Sequence, residues 1–266
     1  MACAALLVVV IAPKERRVVL QAPLSTLTAL PGERVTLEAL DRQWTWTAPS
    51  TPGLYPISVV SADQRDSLTI QAFVLVPYSR LQGEYLNGYR IGRYPAVALR
   101  SRAMYRPPSG FIEVTPENEN AFVSPHFRLK QFVCKQSGGY PKYIVLNEGL
   151  VQRLEELLAL ANRAGYHAST FHVMSGYRTP AYNRSIGNVA YSRHTWGSAA
   201  DIFIDEDADG RMDDLNRDGR SDARDAEVLY RLFDDVQGGG GMGKYDATRA
   251  HGPFVHVDLR DRRARW

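Results

Sequence analysis

Cysteine is scarce in this chain, with two in 266 residues, Cys3 and Cys134. Two thiols cannot make a disulfide framework, and they take thiolate coordination of zinc off the table. Any metal must therefore be held by histidine and carboxylate. Long apolar runs are also missing. The stretch ACAALLVVVIA over residues 2–12 has eleven residues, too few to span a bilayer. It has the length of a signal-peptide core, yet no basic segment precedes it and no clean cleavage site comes after it. Residues 1–14 are expected to be a truncated signal segment or a first strand. No nucleic-acid motif accompanies the short basic cluster Arg260, Arg262, Arg263 and Arg265, so a nucleic-acid partner is not expected.

What is present is ordinary for a soluble globular chain: 44% apolar and 23% charged residues. The net charge of +3 is unevenly spread. Between Asp205 and Asp225 there are nine acidic and four basic residues, a local balance of −5, which leaves +8 for the rest. A mildly basic body suits an anionic polymer, and equally suits plain solubility.

Residues 15–76 read as short strands at roughly ten-residue spacing. RVVLQA, RVTLEA, QWTWTA, LYPISVVSA and SLTIQAFVLV are rich in β-branched and aromatic residues, with Pro31-Gly32 and Pro52-Gly53 as turns. A small antiparallel β-sandwich of immunoglobulin-like type is expected. Trp44 and Trp46 alternate onto one face, as core residues rather than a sugar-stacking surface. Residues 77–122 read as loops and extended segments, a connector packed along the second domain. That domain, of α+β class, is expected over 123–266. Ser124-Pro125 predicts a helix start into HFRLKQFVC. Asn147 caps a helix whose Leu150, Leu154, Leu157, Leu158 and Ala161 share one face, with Gly165 closing it. STFHVMSG predicts a strand, and Thr179-Pro180 another helix start.

Three residues in the last third carry the chemistry. His194 and Asp201 lie in SRHTWGSAAD with six residues between them, and His256 lies in FVHVDLR. Two imidazoles and a carboxylate leave a fourth tetrahedral position on zinc for water. Strand alternation puts Asp201 with Ala199 and Phe203, and His256 with Phe254 and Asp258. Two such strands side by side let Asp201 and His256 converge, with His194 reaching them from the preceding turn, where Gly197 permits a close approach.

The ordered set SGYRTPAYN, SRHTWGSAADI, GGGGMGKY and FVHVDLRDRRARW resembles the zinc D-alanyl-D-alanine carboxypeptidase family, over roughly residues 123–266. The resemblance implies the Hedgehog/DD-peptidase fold and zinc bound by His194, Asp201 and His256. It implies hydrolysis of bacterial peptidoglycan peptides, as a D,D-carboxypeptidase or an endopeptidase. Arg178 matches the arginine such enzymes keep beside the metal, where a permanent cation can hold a carboxylate or an oxyanion. A glutamate that some members carry three residues before the last ligand is here Pro253. His251 matches a histidine of other members and is the leading candidate for general base. Asp258 is a candidate base or a partner orienting a ligand. Ser192 is expected to cap or orient His194.

The acidic insertion DEDADGRMDDLNRDGRSDARD contains one spacing twice. Asp205, Asp207, Asp209, Gly210 and Asp213 fall at offsets 1, 3, 5, 6 and 9; Asp214, Asn216, Asp218, Gly219 and Asp222 repeat them. These are EF-hand-type oxygen spacings, with backbone carbonyls expected from Arg211 and Arg220 and position 12 filled by Asn216 and Asp225. The bidentate glutamate is absent, and the pattern resembles dockerin or thrombospondin-type repeats. Structural calcium is expected alongside catalytic zinc. The competing reading is a non-catalytic zinc- and calcium-binding recognition or adhesion module. Under the enzymatic reading the partner is a peptidoglycan peptide, the location extracytoplasmic, and the oligomeric state open.

Overall fold

The structure, a computed structural model, describes residues 16–19, 26–99, 102–234 and 239–266. The expectation for residues 1–14 lies outside them. Six strands make up the first part of the described residues: β1 (Arg16–Val19), β2 (Thr26–Ala29), β3 (Arg34–Ala39), β4 (Arg42–Thr47), β5 (Gly53–Val60) and β6 (Ser67–Val74). They form two three-stranded sheets, ordered β1-β3-β4 and β2-β6-β5. Alternation in RVTLEA buries Val35, Leu37 and Ala39, which share one core with Leu27 and Ala29 of β2 and Ile70, Ala72 and Val74 of β6. Trp44 and Trp46 pack half-buried against that core. Leu40 and Asp41, both at positive φ, make the two-residue turn between β3 and β4. Two of the pairings, β1 with β3 and β2 with β6, are parallel rather than antiparallel. Periodicity reports which face is buried, not strand direction, so this feature was not legible.

The segment expected to be a loop-rich connector contains regular structure. After β7 (Val76–Pro77) come β8 (Tyr85–Leu86), β9 (Tyr89–Arg90) and β10 (Gly110–Val114), and β10 is the centre of an antiparallel sheet between β7 and β11 (Lys142–Ile144). Its aromatic residues gather Tyr89, Tyr94, Tyr105 and Phe111 into a cluster with Tyr143 and Trp196.

The helix expected from Ser124-Pro125 does not form. Only a 3-10 turn over Leu129–Phe132 is present there. The N–H of His126 goes to Glu155 Oε1 at 3.0 Å and its ring Nδ1 lies 2.7 Å from Oε2, so a distant side chain captures the segment. Phe127, Leu129 and Phe132 are all fully buried, and their spacing fits an irregular chain better than one helical face.

Helix α1 (Glu148–Arg163) forms as expected. Asn147 Oδ1 accepts from Gly149 N at 2.9 Å, and Gly165 lies just past the helix at φ +98°. Its leucine stripe is buried. Then come β12 (His172–Ser175), α2 (Pro180–Ser185), β13 (Ala199–Phe203), α3 (Ala223–Asp234), β14 (Gly241–Tyr245), β15 (Phe254–Asp258) and β16 (Ala264–Arg265). The sheet order is β12-β13-β15-β14-β16. Ala200, Ile202, Met242, Val255 and Val257 join one core with the α1 stripe and with Ala226, Leu229 and Phe233 of α3. Phe73 and Leu75 from the first part enter the same core, and Thr26 Oγ1 donates to Val123 O at 2.6 Å. Among the described residues no helix is long and apolar enough to cross a membrane.

Candidate metal centre

Asp201 and His256 are direct cross-strand partners, β13 to β15, and the same row continues to Ser175 on β12 and Gly243 on β14. The strand period sends the alternate residues of β13 and β15 into the core, which leaves Asp201, His256 and Asp258 on the opposite face. His194 arrives on a short 3-10 turn over Arg193–Trp196, ended by Gly197 in the left-handed region. A Cβ at Gly197 would lie 2.1 Å from Val145 O, so only glycine lets this turn press against the β11–α1 loop.

The three residues meet. His256 Nδ1 lies 2.8 Å from Asp201 Oδ1, and His194 Nε2 lies 3.3 Å from His256 Nδ1 and 3.4 Å from Asp201 Oδ1. Each offers one ligand atom within 4.8 Å of the others. The outer nitrogens are tied off. His194 Nδ1 is 2.7 Å from Gly176 O, which can only accept, so the proton sits on Nδ1 and Nε2 is bare. His256 stands between two carboxylates, with Nε2 3.2 Å from Asp258 Oδ2 and Nδ1 2.8 Å from Asp201 Oδ1, so without metal both of its nitrogens have an acceptor to donate to. The lone pairs of His194 Nε2 and Asp201 Oδ1 thus converge on His256 Nδ1 in a buried place, and a positive charge must sit among them.

In the metal-free protein that charge is a proton on His256. Burial works against the charged ring, but the hydrogen bonds and charges of Asp201 and Asp258 outweigh it and push His256 up to about 9. His194 moves down, chiefly because it is buried. For Asp201, burial would raise the pKa, yet His194 and His256 hold it far below the usual carboxylate range. A divalent cation bound by two neutral imidazoles and a carboxylate would replace that proton, and the donor set suits zinc.

Arg178 braces the cluster from outside. One arm donates to Asp201 Oδ2, leaving Oδ1 to the histidines, while Nε donates to Ser175 Oγ at 2.8 Å. This explains the SGYR spacing: the serine holds the arginine three residues on. Ser175 and the carbonyl of Gly176 were not foreseen, and only the serine left a trace in the sequence.

Of the two roles open to Asp258, base or partner orienting a ligand, its surroundings favour the second. It is 1% exposed, and Arg260 grips both its oxygens through Nε and Nη2 while Gly241 N donates to Oδ1 at 3.1 Å. Arg193 adds a guanidinium at 3.9 Å. Burial would raise its pKa, but His256 and Arg260 hold it well below normal. A carboxylate so fully engaged orients His256 and is a poor proton acceptor. Ser192 also departs from expectation, since its side chain makes no capping bond to the turn.

His251 stands on the rim. Its Nδ1 donates to Gly252 O at 2.8 Å, and its ring packs edge-on against Phe254. Two cavities meet here. One of about 510 Å³ holds His194, Asp201 and His256; a neighbouring one of about 710 Å³ runs toward the acidic insertion. Both include Met174, Arg178, Ile186 and His251 in their walls.

The insertion folds as two copies of one turn. Asp205 Oδ1 and Oδ2 accept from Asp209 N and Gly210 N, and Asp214 repeats this with Asp218 N and Gly219 N. Positive φ recurs at Ala208 and Gly210, then at Arg217 and Gly219. Asp205, Asp207 and Asp209 bring carboxylates within 4.8 Å of one another. Burial and the charges of Asp207, Glu206 and Asp205 push Asp213 up. The second copy is spoken for: Arg224 bridges Asp218 and Asp222 at 2.6 and 2.9 Å. Asp225, expected at position 12, is buried and accepts from Leu215 N, Asn216 N and Asp222 N, so it ties the loop to the start of α3. The first loop is therefore the better candidate for a cation.

Residues 125–230, less than half of the chain, match the family model described as Peptidase M15. The match supports a zinc-dependent peptidase, and it covers Arg178, His194 and Asp201 but stops before His251 and His256. No curated protein matches the chain.

Proposed function

We propose that this chain is a zinc peptidase of bacterial cell-wall peptides, acting as a D,D-carboxypeptidase or endopeptidase. One observation carries the reading: Nε2 of His194, Nδ1 of His256 and Oδ1 of Asp201 face one another while their outer atoms are held by Gly176, Asp258 and Arg178. Held outer nitrogens are the usual companions of metal-ligating histidines.

Zinc bound by these three atoms would supply a Lewis acid and a water that loses its proton near neutral pH. The rest falls to the chain. His251 lines both cavities with its Nδ1 held by Gly252 O, and its Nε2 is suited to take a proton from the attacking water and return it to the leaving amine. Arg178 lines both cavities, and its fixed charge suits a substrate carboxylate or the developing oxyanion. Asp258 and the Gly176 carbonyl keep the imidazoles in the binding tautomer.

The reading extends to the rest of the chain. The two N-terminal sheets form an immunoglobulin-like accessory unit that braces the enzyme or docks it to the wall. The protein works outside the cytoplasm, where abundant calcium would occupy the first acidic loop and neutralise its crowded carboxylates. Mass spectrometry of purified muropeptides incubated with zinc-loaded protein tests the function. A defined mass loss names the bond cut; intact muropeptides after incubation with folded, zinc-bound protein would count against a peptidase.

A further inference from the structure

The larger cavity beside the metal centre has an electrostatic character that its neighbourhood does not predict. The insertion that forms one wall carries nine acidic residues, yet it contributes Gly210, Arg211, Met212 and Ser221 to the cavity and no carboxylate. Asp205, Asp209 and Asp214 are turned onto backbone N–H groups of their own loops. Lys135 lines the same cavity, and Arg178 is shared between it and the cavity of the metal centre. Among the described residues no Asp or Glu lines the cavity. Among them, too, neither the Lys135 ammonium nor the Arg211 guanidinium makes a side-chain hydrogen bond or ion pair, although the Asp201 carboxylate lies close enough for its charge to act on Lys135. Arg178, by contrast, is already engaged by Asp201 and Ser175. Two cations that no side-chain hydrogen bond or ion pair holds, in one groove with the apolar side chains of Met174, Phe203 and Met212, make a surface for a chain with apolar stems and anionic tips.

We propose that Lys135 and Arg211 determine specificity, by binding free carboxylates on the part of a peptide substrate that lies to one side of the scissile bond. The substrate class is thus an acidic peptide, not merely any peptide that can reach the metal. This inference rests on the peptidase reading for its biological meaning, but the groove can be tested without turnover.

The test uses the full chain stripped of metal and two synthetic peptides, Ala-Glu-Ala-Glu and Ala-Gln-Ala-Gln, both with amidated C-termini so that a terminal carboxylate plays no part. Calorimetry on the wild type is expected to favour the glutamate peptide by about tenfold or more, the scale of a charge-assisted hydrogen bond. Lys135→Gln and Arg211→Gln should each reduce that preference, and the double variant should bring it close to one. Lys130→Gln, an exposed lysine away from the cavity, should leave it intact. Equal binding of the two peptides, binding of neither, or a preference that survives the double variant would overturn the proposal. The two readings fail separately. An acid-selective groove on a protein that cuts no muropeptide leaves the groove standing and removes the peptidase; muropeptide cleavage without acid selectivity does the reverse.

Discussion

Asp201 on β13 lies directly across the ladder from His256 on β15, with Oδ1 2.8 Å from Nδ1, and this one pairing fixes the geometry of the whole centre. A shift of one residue in register would send His256 into the core and leave a valine opposite Asp201. The metal centre is therefore only as reliable as the β13–β15 register, which is held by buried Ala200, Ile202, Val255 and Val257.

His251→Ala should keep one zinc per chain and lose turnover by about 10²–10⁴-fold, the usual contribution of a proton-transfer group. Metal content by mass spectrometry, together with kcat on a cleaved muropeptide, separates the two effects. Unchanged kcat would remove His251 from the reaction.

Asp258→Asn separates orientation from catalysis. As the partner of His256 Nε2, Asp258 should matter for holding metal, and its loss should weaken zinc about 10–100-fold. At saturating zinc most of the activity should return. If zinc binding is unchanged while kcat collapses, Asp258 is a base after all.

The metal-free protein should lose stability as pH rises. His256 has an ordinary value of 6.5 and is pushed up to about 9 in the folded chain, so its contribution is complete below pH 6.5 and is lost as pH climbs through about 9. Thermal melts between pH 6.5 and 9 should show a falling Tm without metal. With saturating zinc the fall should vanish, because the cation takes the proton's place. The scan stops short of pH 10, where Tyr89 and Tyr143, both raised chiefly by burial, begin to add their own destabilisation. A flat metal-free profile would mean that the proton is not held between Asp201 and His256.

Gly197→Ala should destabilise the fold by at least about 1–2 kcal/mol from the left-handed backbone alone, with the contact to Val145 O added. Since the turn that Gly197 ends carries His194, zinc affinity should fall too. Denaturant melts and zinc titration on one sample check both.

Calcium added to dialysed, zinc-loaded protein should raise Tm, and magnesium should do so less, since the first loop offers several flexible carboxylates suited to the larger ion. Asp207→Asn should blunt the shift more than Asp222→Asn, because Asp222 is already paired with Arg224. An identical melt with and without calcium would argue against the loop as a cation site.

Much of the centre was legible because period-two alternation is a strong local signal. It placed Asp201 and His256 on one strand face each, and the leucine stripe of α1 was equally plain. The Ser124-Pro125 start misled because the cap chemistry is local, whereas the His126 N–H is claimed by Glu155 on another element. Strand β10 escaped notice in a stretch dominated by Tyr, Arg, Gly and Pro, where turn signals outweigh five residues of extended chain. The groups that orient the ligands were least visible. A carbonyl such as that of Gly176 has no letter of its own, and the pairing of Arg178 with Asp201 joins residues whose distance in sequence says nothing of their contact.

The aromatic stretch upstream bears on how this protein can be dissected. Tyr94 OH donates to Thr195 O at 2.9 Å and meets Tyr177 OH at 3.0 Å, and Trp196 Nε1 donates to Arg106 O at 2.8 Å. Thr195, Tyr177 and Trp196 are close chain neighbours of His194 and Arg178. A fragment cut at residue 123, although it would contain every residue named in the chemistry, would lose the wall against which the metal-bearing turn is pressed. A piece that keeps this wall must begin upstream of Tyr94.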